Sequence, residues 1–162
     1  MSLPHRHLRR FAGAGLATVL LMAGLLPFSP SAAAALADCN GPLVSSSIKG
    51  FTMNRTGLKL TRIYDEKGVL NDWGQQPAAT IGAHDNDHWC AYAHAFGTAM
   101  KAEYSFADGN VVYLEAYRYQ SSAVGSSCVI KGPSADRFTC ARRIFGSQRA
   151  SIQADFTVSA RR

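Results

Sequence analysis

Features that mark the common enzyme classes are missing from this 162-residue sequence. It has no Gly-x-Ser-x-Gly nucleophile elbow and no glycine-rich phosphate loop. Its four cysteines are too far apart to form a Cys-x-x-Cys zinc knuckle or redox site. Combinations of His with Glu103 or Glu115 offer a ribonuclease-like acid–base pair, but any small protein contains such combinations. The sequence therefore gives no reason to assign catalytic residues or a cofactor.

Long helical patterns are also missing after residue 37, and apolar residues instead recur with a period of two. From Arg149 to Val158 apolar and polar residues alternate without exception, and Met100 to Phe106 alternates in the same way. Asp108-Gly109 then predicts a tight hairpin turn. We predict a single antiparallel β-sandwich of about eight short strands at 48–54, 58–64, 88–95, 100–106, 110–118, 127–131, 138–145 and 149–158. Turns are expected at 55–57 and 66–68, and loops at 75–79 and 83–87.

The N-terminal segment has the layout of an export signal. Three arginines precede an uncharged apolar stretch from Phe11 to Phe28, and the segment ends in Ala35-Leu36-Ala37. We predict that residues 1–37 are a cleaved signal helix and that 38–162 is one secreted domain of a bacterial protein. A retained membrane anchor and a lipidated Cys39 are the alternatives, but Asp38 is a poor residue to precede a lipidated cysteine.

All four cysteines follow the predicted cleavage site. An even number of cysteines in an exported domain indicates two disulfides, with three connectivities open. We favour Cys128–Cys140, which closes a short loop, and by default Cys39–Cys90, which holds the mature N-terminus.

The net charge of +6 falls to +3 in the predicted mature chain, because Arg6, Arg9 and Arg10 leave with the signal. A charge of this size assists approach to anionic surfaces but is not typical of a nucleic-acid-binding protein. We expect no nucleic-acid partner.

Histidines and carboxylates lie close together at His84-Asp85-Asn86-Asp87-His88, with His94 further along. His84 and His88 share a face only on a helix, whereas this segment has the pattern of a loop entering a strand. We interpret it as a polar loop with surface histidines and predict no metal site.

The aromatic residues are more informative. In the strand from Asn110, the residues Val112, Leu114 and Ala116 form an apolar set, so the opposite set faces outward and includes Tyr113, Tyr117 and Tyr119. Exposed aromatics beside arginine favour an interfacial or headgroup-binding surface. We predict a binding surface formed by Tyr117, Arg118, Tyr119 and Trp89. The alternative is that a second sheet or the 120–126 loop covers the tyrosines.

The order of several segments resembles the aegerolysins and the related small bacterial crystal-protein-like toxins. The resemblance covers roughly residues 48–128 and rests on spacing rather than on one motif. It comprises Asn54-Arg55-Thr56-Gly57-Leu58-Lys59-Leu60, Trp73-Gly74, Pro77-Ala78-Ala79-Thr80-Ile81, Trp89-Cys90, Gly97-Thr98 and Asp108-Gly109-Asn110-Val111-Val112. The chain departs from the family pattern at Ala116–Gln120, which contains neither Pro nor Trp, and in its two predicted disulfides.

The resemblance implies a β-sandwich of the type found in pore-forming cytolysins. It also implies non-catalytic binding to a membrane lipid or another cell-surface ligand, in some members beside a second, larger secreted protein. Two alternatives remain open: a secreted protein-binding module such as a hydrolase inhibitor, and a small secreted hydrolase.

Overall fold

The strands predicted from alternation are present, and two further short strands lie between them. The computed structural model describes residues 46–95, 97–106, 109–119, 123–146 and 151–162. The strands are β1 Ser46–Arg55, β2 Leu60–Lys67, β3 Asn71–Gln75, β4 Thr80–Ile81, β5 Asn86–Ala93, β6 Gly97–Phe106, β7 Asn110–Tyr119, β8 Val124–Lys131, β9 Phe138–Phe145 and β10 Ser151–Ala160. A short 3₁₀ turn, Ala135–Arg137, precedes β9.

The ten strands form two five-stranded sheets. The first sheet has the order β3-β5-β1-β10-β9, and the second has the order β4-β2-β6-β7-β8. Side chains from both sheets form one buried core, in which the largest fully buried residues are Phe156 of the first sheet and Tyr104 of the second. The all-β sandwich is confirmed.

Two details of the predicted sandwich are wrong. The described residues contain ten strands rather than about eight, and β1 runs parallel to β10, with Ser47 opposite Ser151 and Arg55 opposite Ser159. The other strand pairs between the described residues are antiparallel. Alternation within one strand shows which face is buried but carries no information on the direction of its neighbour.

The predicted faces of the central strands are correct. Met100, Ala102 and Tyr104 of β6 are at most 1% exposed, as are Val112 and Ala116 of β7. In β10 the buried residues are Ile152, Ala154, Phe156 and Val158, as alternation predicts; Arg149 and Ala150 lie outside the described residues.

The turns differ in position from those predicted. Glu66 and Lys67 belong to β2, so the turn to β3 is Gly68-Val69-Leu70. At the β6–β7 hairpin, Phe106 pairs with Asn110 and Gly109 has a φ of +72°, while Asp108 lies outside the described residues. The connection therefore has three residues, and a positive φ favours glycine at its last position.

The disulfide between Cys128 and Cys140 is confirmed. Cys128 lies on β8 and Cys140 on β9, so the bond joins an edge strand of one sheet to an edge strand of the other. The described part of the chain contains no free cysteine. Cys39 lies outside the described residues, so the Cys39–Cys90 pairing stays a prediction.

The predicted signal, residues 1–37, also lies outside the described residues and stays a prediction. Within the residues that are described, no helix is long and apolar enough to cross a membrane.

The strand pairings define two opposite ends of the sandwich. At one end Tyr119 pairs with Gly97, and the Arg118 guanidinium donates to Ser46 Oγ at 3.3 Å, which places the start of β1 there. We call this the Tyr119 end. At the other end Phe106 pairs with Asn110 and its ring contacts that of Phe138. Because β1 ends there at Arg55, we call it the Arg55 end.

Candidate functional site

Two tyrosines lie together where β7 reaches the Tyr119 end. The rings of Tyr117 and Tyr119 stack, with centroids 5.1 Å apart, and Tyr119 is 48% exposed. Tyr117 is half-buried against Gly125 of β8, where any Cβ would overlap the phenol. The glycine thus lets Tyr117 lie flat along the sheet and support the exposed ring of Tyr119.

The turn between β2 and β3 presents two apolar side chains at the same end. Val69 is 99% exposed and Leu70 is 57% exposed. Asn71 holds this turn in place, because its Nδ2 donates to the carbonyl of Ala99 at 3.1 Å and its backbone N–H donates to Gly68 O at 2.9 Å. Gly68 N–H also donates to Ala99 O at 3.0 Å. The two apolar residues are therefore held in solvent by a fixed turn.

A groove of about 200 Å³ joins this turn to the tyrosine. The lining is mostly apolar and consists of Gly68, Val69, Leu70, Asn71, Ala95, Gly97, Thr98, Ala99 and Tyr119. A smaller pocket of about 120 Å³ shares Gly68, Ala99 and Tyr119 with it and is bordered by Glu66, Lys67, Met100, Lys101 and Glu115. Apolar and charged surfaces thus meet on either side of Tyr119.

The charges beside the groove are paired. Lys67 Nζ contacts Asp72 Oδ1 at 2.8 Å, and this hydrogen bond lowers the pKa of Asp72. Lys101 Nζ lies 4.0 Å from Glu115 Oε1. These pairs leave the surface around Val69 and Leu70 with little net charge, which is the character of a surface that contacts an uncharged apolar phase.

Arg118 lies on the opposite side of β7 from the two tyrosines, as alternation predicts. Its Nη1 donates to Ser46 Oγ, and its Nε is buried without a hydrogen-bond partner. Ser46 Oγ also accepts from Thr98 Oγ1 at 2.8 Å. Arg118 is therefore half-buried on the inner side of β7, whereas Tyr117 and Tyr119 lie on the outer side of this strand.

Trp89 is not part of this surface, and its assignment to the binding site needs correction. The side chain is 2% exposed, lies over Gly50 of the neighbouring strand and donates from Nε1 to Thr52 Oγ1 at 3.1 Å. It packs in the core beside Phe156, with ring centroids 6.2 Å apart. The physical reason is that Trp89 shares the inward face of β5 with Ala91 and Ala93.

The outward set of β7 is accessible rather than covered by the other sheet. Val111, Tyr113, Glu115 and Tyr117 are half-buried, because neighbours in their own sheet lie against them. One example is Lys131, whose Nζ lies 5.0 Å from the centroid of the Tyr113 ring. The 120–122 segment lies outside the described residues.

The histidines of the 84–88 segment have different surroundings. His84 adopts a φ of +58° in the loop, while His88 packs against Phe51 with ring centroids 4.0 Å apart. In the described ranges, no group of three or more His, Cys, Asp or Glu side chains is placed to hold a metal ion.

Two solved structures of low sequence identity are similar to the described two-sheet β-sandwich. The crystal structure of the lipid-binding protein Nakanori matches with a TM-score of 0.59 and 11% identity, over 72% of this chain and 72% of that chain. IP-1A from Alcaligenes faecalis matches with a TM-score of 0.48 and 13% identity, over 74% of this chain and 94% of that one. No family model and no curated protein sequence matches the chain. The likeness to Nakanori shows the fold, and membership in the aegerolysins stays a prediction.

Sequence reasoning named the tyrosines as a candidate surface but did not single out Val69 and Leu70. The available signal was their position: two apolar residues directly follow Gly68 in a turn too short to return them to the core. Apolar residues in a sequence are usually assigned to the interior, and only an exposed fraction distinguishes the exceptions.

Proposed function

We propose that this chain is a secreted, non-catalytic protein that binds membrane lipid through its Tyr119 end. The observation that carries the proposal is the fixed turn that presents Val69 and Leu70 to solvent beside the exposed ring of Tyr119. A folded protein gains nothing from holding two aliphatic side chains in water, so their exposure favours a role in contact with another apolar surface.

The expected energetics are those of reversible membrane association. Transfer of one aliphatic side chain of this size from water to an apolar phase stabilises by about 1.5–3 kcal/mol. Two such residues contribute roughly 3–6 kcal/mol, or about 10²- to 10⁴-fold in partitioning. Tyr119 adds an amphipathic ring, a type of side chain that favours the boundary between hydrocarbon and water.

The fold gives independent support at a coarser level. Nakanori, which shares the fold, is described as a lipid-binding protein. The resemblance of residues 48–128 to the aegerolysins leads to the same class of ligand. The second secreted protein that the resemblance implies stays a prediction.

Vesicle sedimentation tests the proposal. Purified protein is spun with liposomes of several lipid classes, and we expect it to sediment with at least one class. The Tyr117→Ser/Tyr119→Ser variant should bind less while keeping its melting temperature. Tyr64→Ser is the control, because Tyr64 is 45% exposed on the same sheet and does not line the groove.

The alternatives give different results in the same series. Failure to sediment with any lipid, together with inhibition of a hydrolase, would favour the protein-binding module. Turnover of a substrate that is lost on changing one His or Glu would favour a hydrolase.

A further inference from the structure

Exposed cations are concentrated at the Arg55 end, opposite the apolar turn. Arg55 pairs with Ser159 near the end of β10, and the backbone N–H of Arg161 donates to Arg137 O at 2.8 Å. Arg162 follows in the chain. Two lysines lie nearby on the same end, Lys59 before β2 and Lys131 at the end of β8. All six side chains are exposed.

In the described part of the chain, the six cations form no ion pair with a carboxylate, a property they share with Lys49, Arg142 and Arg143 of the first sheet, and the Lys131 ammonium contacts the Tyr113 ring. Three cations of the second sheet do form ion pairs: Arg62 contacts Asp65 at 3.3 Å, Lys67 contacts Asp72, and Lys101 contacts Glu115. Among the described residues, no carboxylate lies within ion-pair distance of the six cations at the Arg55 end. Two exposed carboxylates, Asp85 and Asp136, lie at this end, and Asp85 accepts a hydrogen bond from the Asn86 N–H.

The backbone that carries this surface is fixed. Asn54 is fully buried, and its Nδ2 donates to Leu58 O at 2.6 Å and to Gly82 O at 2.7 Å, which ties the β1–β2 loop to the β4–β5 loop. Asn110 Nδ2 donates to Ser134 Oγ at 2.8 Å and thereby holds the loop before Arg137. These hydrogen bonds fix the loops that carry Arg55, Lys59 and Arg137.

We propose that the Arg55 end is a second binding surface, which takes phosphate-bearing anionic lipid headgroups at a membrane surface. Charge complementarity carries the argument, because clustered unpaired arginines match phosphate oxygens through paired N–H donors. The end is built from three separate chain segments, 55–59, 131–137 and 161–162, so its cations are spread over a surface rather than along one segment. These features favour a planar array of headgroups. The site is distinct from the Tyr119 end, since a ten-residue strand such as β6, about 33 Å long, separates the two.

The test compares neutral phosphatidylcholine vesicles with vesicles that also contain phosphatidylglycerol, at low and high salt. We expect wild type to bind the anionic vesicles more tightly at low salt. At low salt the Arg55→Gln/Arg137→Gln/Arg161→Gln variant should bind the anionic vesicles on the order of 100-fold more weakly than wild type. Its binding to neutral vesicles should not change.

The control removes the same charge elsewhere, through Lys49→Gln/Arg142→Gln/Arg143→Gln on the outer side and edge of the first sheet. A much smaller loss in the control supports a localised surface, whereas an equal loss overturns it in favour of net charge alone. Equal binding of wild type to both kinds of vesicle also overturns it, as does capture of a soluble polyanion such as heparin without anionic-vesicle binding. Loss of neutral-vesicle binding in Val69→Ser/Leu70→Ser reports on the Tyr119 end only, so the two proposals fail separately.

Discussion

The disulfide between Cys128 and Cys140 connects the edge strands β8 and β9, with Cα atoms 5.6 Å apart, and so links the two sheets of the sandwich. A cross-link over 12 residues restricts the unfolded chain, so we expect Cys128→Ser/Cys140→Ser to lower the free energy of unfolding by about 2–4 kcal/mol. Urea denaturation measures the change. Equal midpoints for the variant and wild type would show that the bond contributes no net stability.

Trp89 is expected to act in stability rather than in binding. Truncation to alanine removes a core indole and its hydrogen bond to Thr52, which should cost about 3–5 kcal/mol. Gly50→Ala should destabilise by about 1–3 kcal/mol, because the new methyl overlaps the Trp89 ring. The free energies of unfolding test both changes. A stable Trp89→Ala variant with weakened lipid binding would restore the surface assignment.

Asp87 should make stability depend on pH in the acidic range. Burial raises its pKa above the ordinary value of 3.8, while N–H donors from Ala78 and His88 act in the opposite direction. A raised pKa means that the folded state holds the proton more tightly than the unfolded state. The contribution of Asp87 to the free energy of unfolding is therefore complete below pH 3.8, and it is lost as the pH rises through the pKa of Asp87 in the folded state.

Asp87→Asn cannot ionise, and its amide oxygen can still accept the Ala78 N–H, which now donates to Asp87 at 2.7 Å. The free energy of unfolding of this variant minus that of wild type should be small at about pH 3 and should become more positive toward pH 7. Asp72→Asn is the control of opposite sign, because Lys67 lowers the pKa of Asp72. A pH-independent difference for Asp87→Asn would contradict the assignment.

The exported protein should begin at Asp38 and carry no lipid. The reason is the Ala35-Leu36-Ala37 sequence, which provides the small residues that signal peptidase requires. Intact mass of protein from the culture medium measures the cleavage site. A diacylated Cys39 would instead show that the chain is a lipoprotein.

Strands in which apolar and polar residues alternate completely could be predicted from the sequence, and strands with incomplete alternation could not. Phe156 and Val158 of β10 and Leu114 of β7 lie in regular alternating runs, and their burial was predicted correctly. The strand Asn71–Gln75 was missed, because Asp72 and Gly74 are poor strand formers and a bulge lies between Trp73 and Gln75. That strand depends on its pairing with β5, a long-range contact with no local signature.

The candidate site was predictable only in part for a related reason. Alternation placed Tyr117 and Tyr119 outward and Arg118 inward, which the structure reproduces. The same rule, applied to β5, would have grouped Trp89 with Ala91 and Ala93 on the core face. Val69 and Leu70 line one groove with Tyr119 because β2 and β7 both end at the Tyr119 end, on either side of β6, and this depends on sheet order.

The central claim is that the Tyr119 end binds lipid, and the most direct measurement is vesicle binding by Val69→Ser/Leu70→Ser. The control is Ile63→Ser/Val129→Ser, which removes two other exposed aliphatic residues, 56% and 43% exposed, from the same sheet. We expect the first variant to lose roughly 100-fold or more in affinity with an unchanged melting temperature, and the control to bind like wild type. Full vesicle binding by a folded Val69→Ser/Leu70→Ser variant would contradict the account.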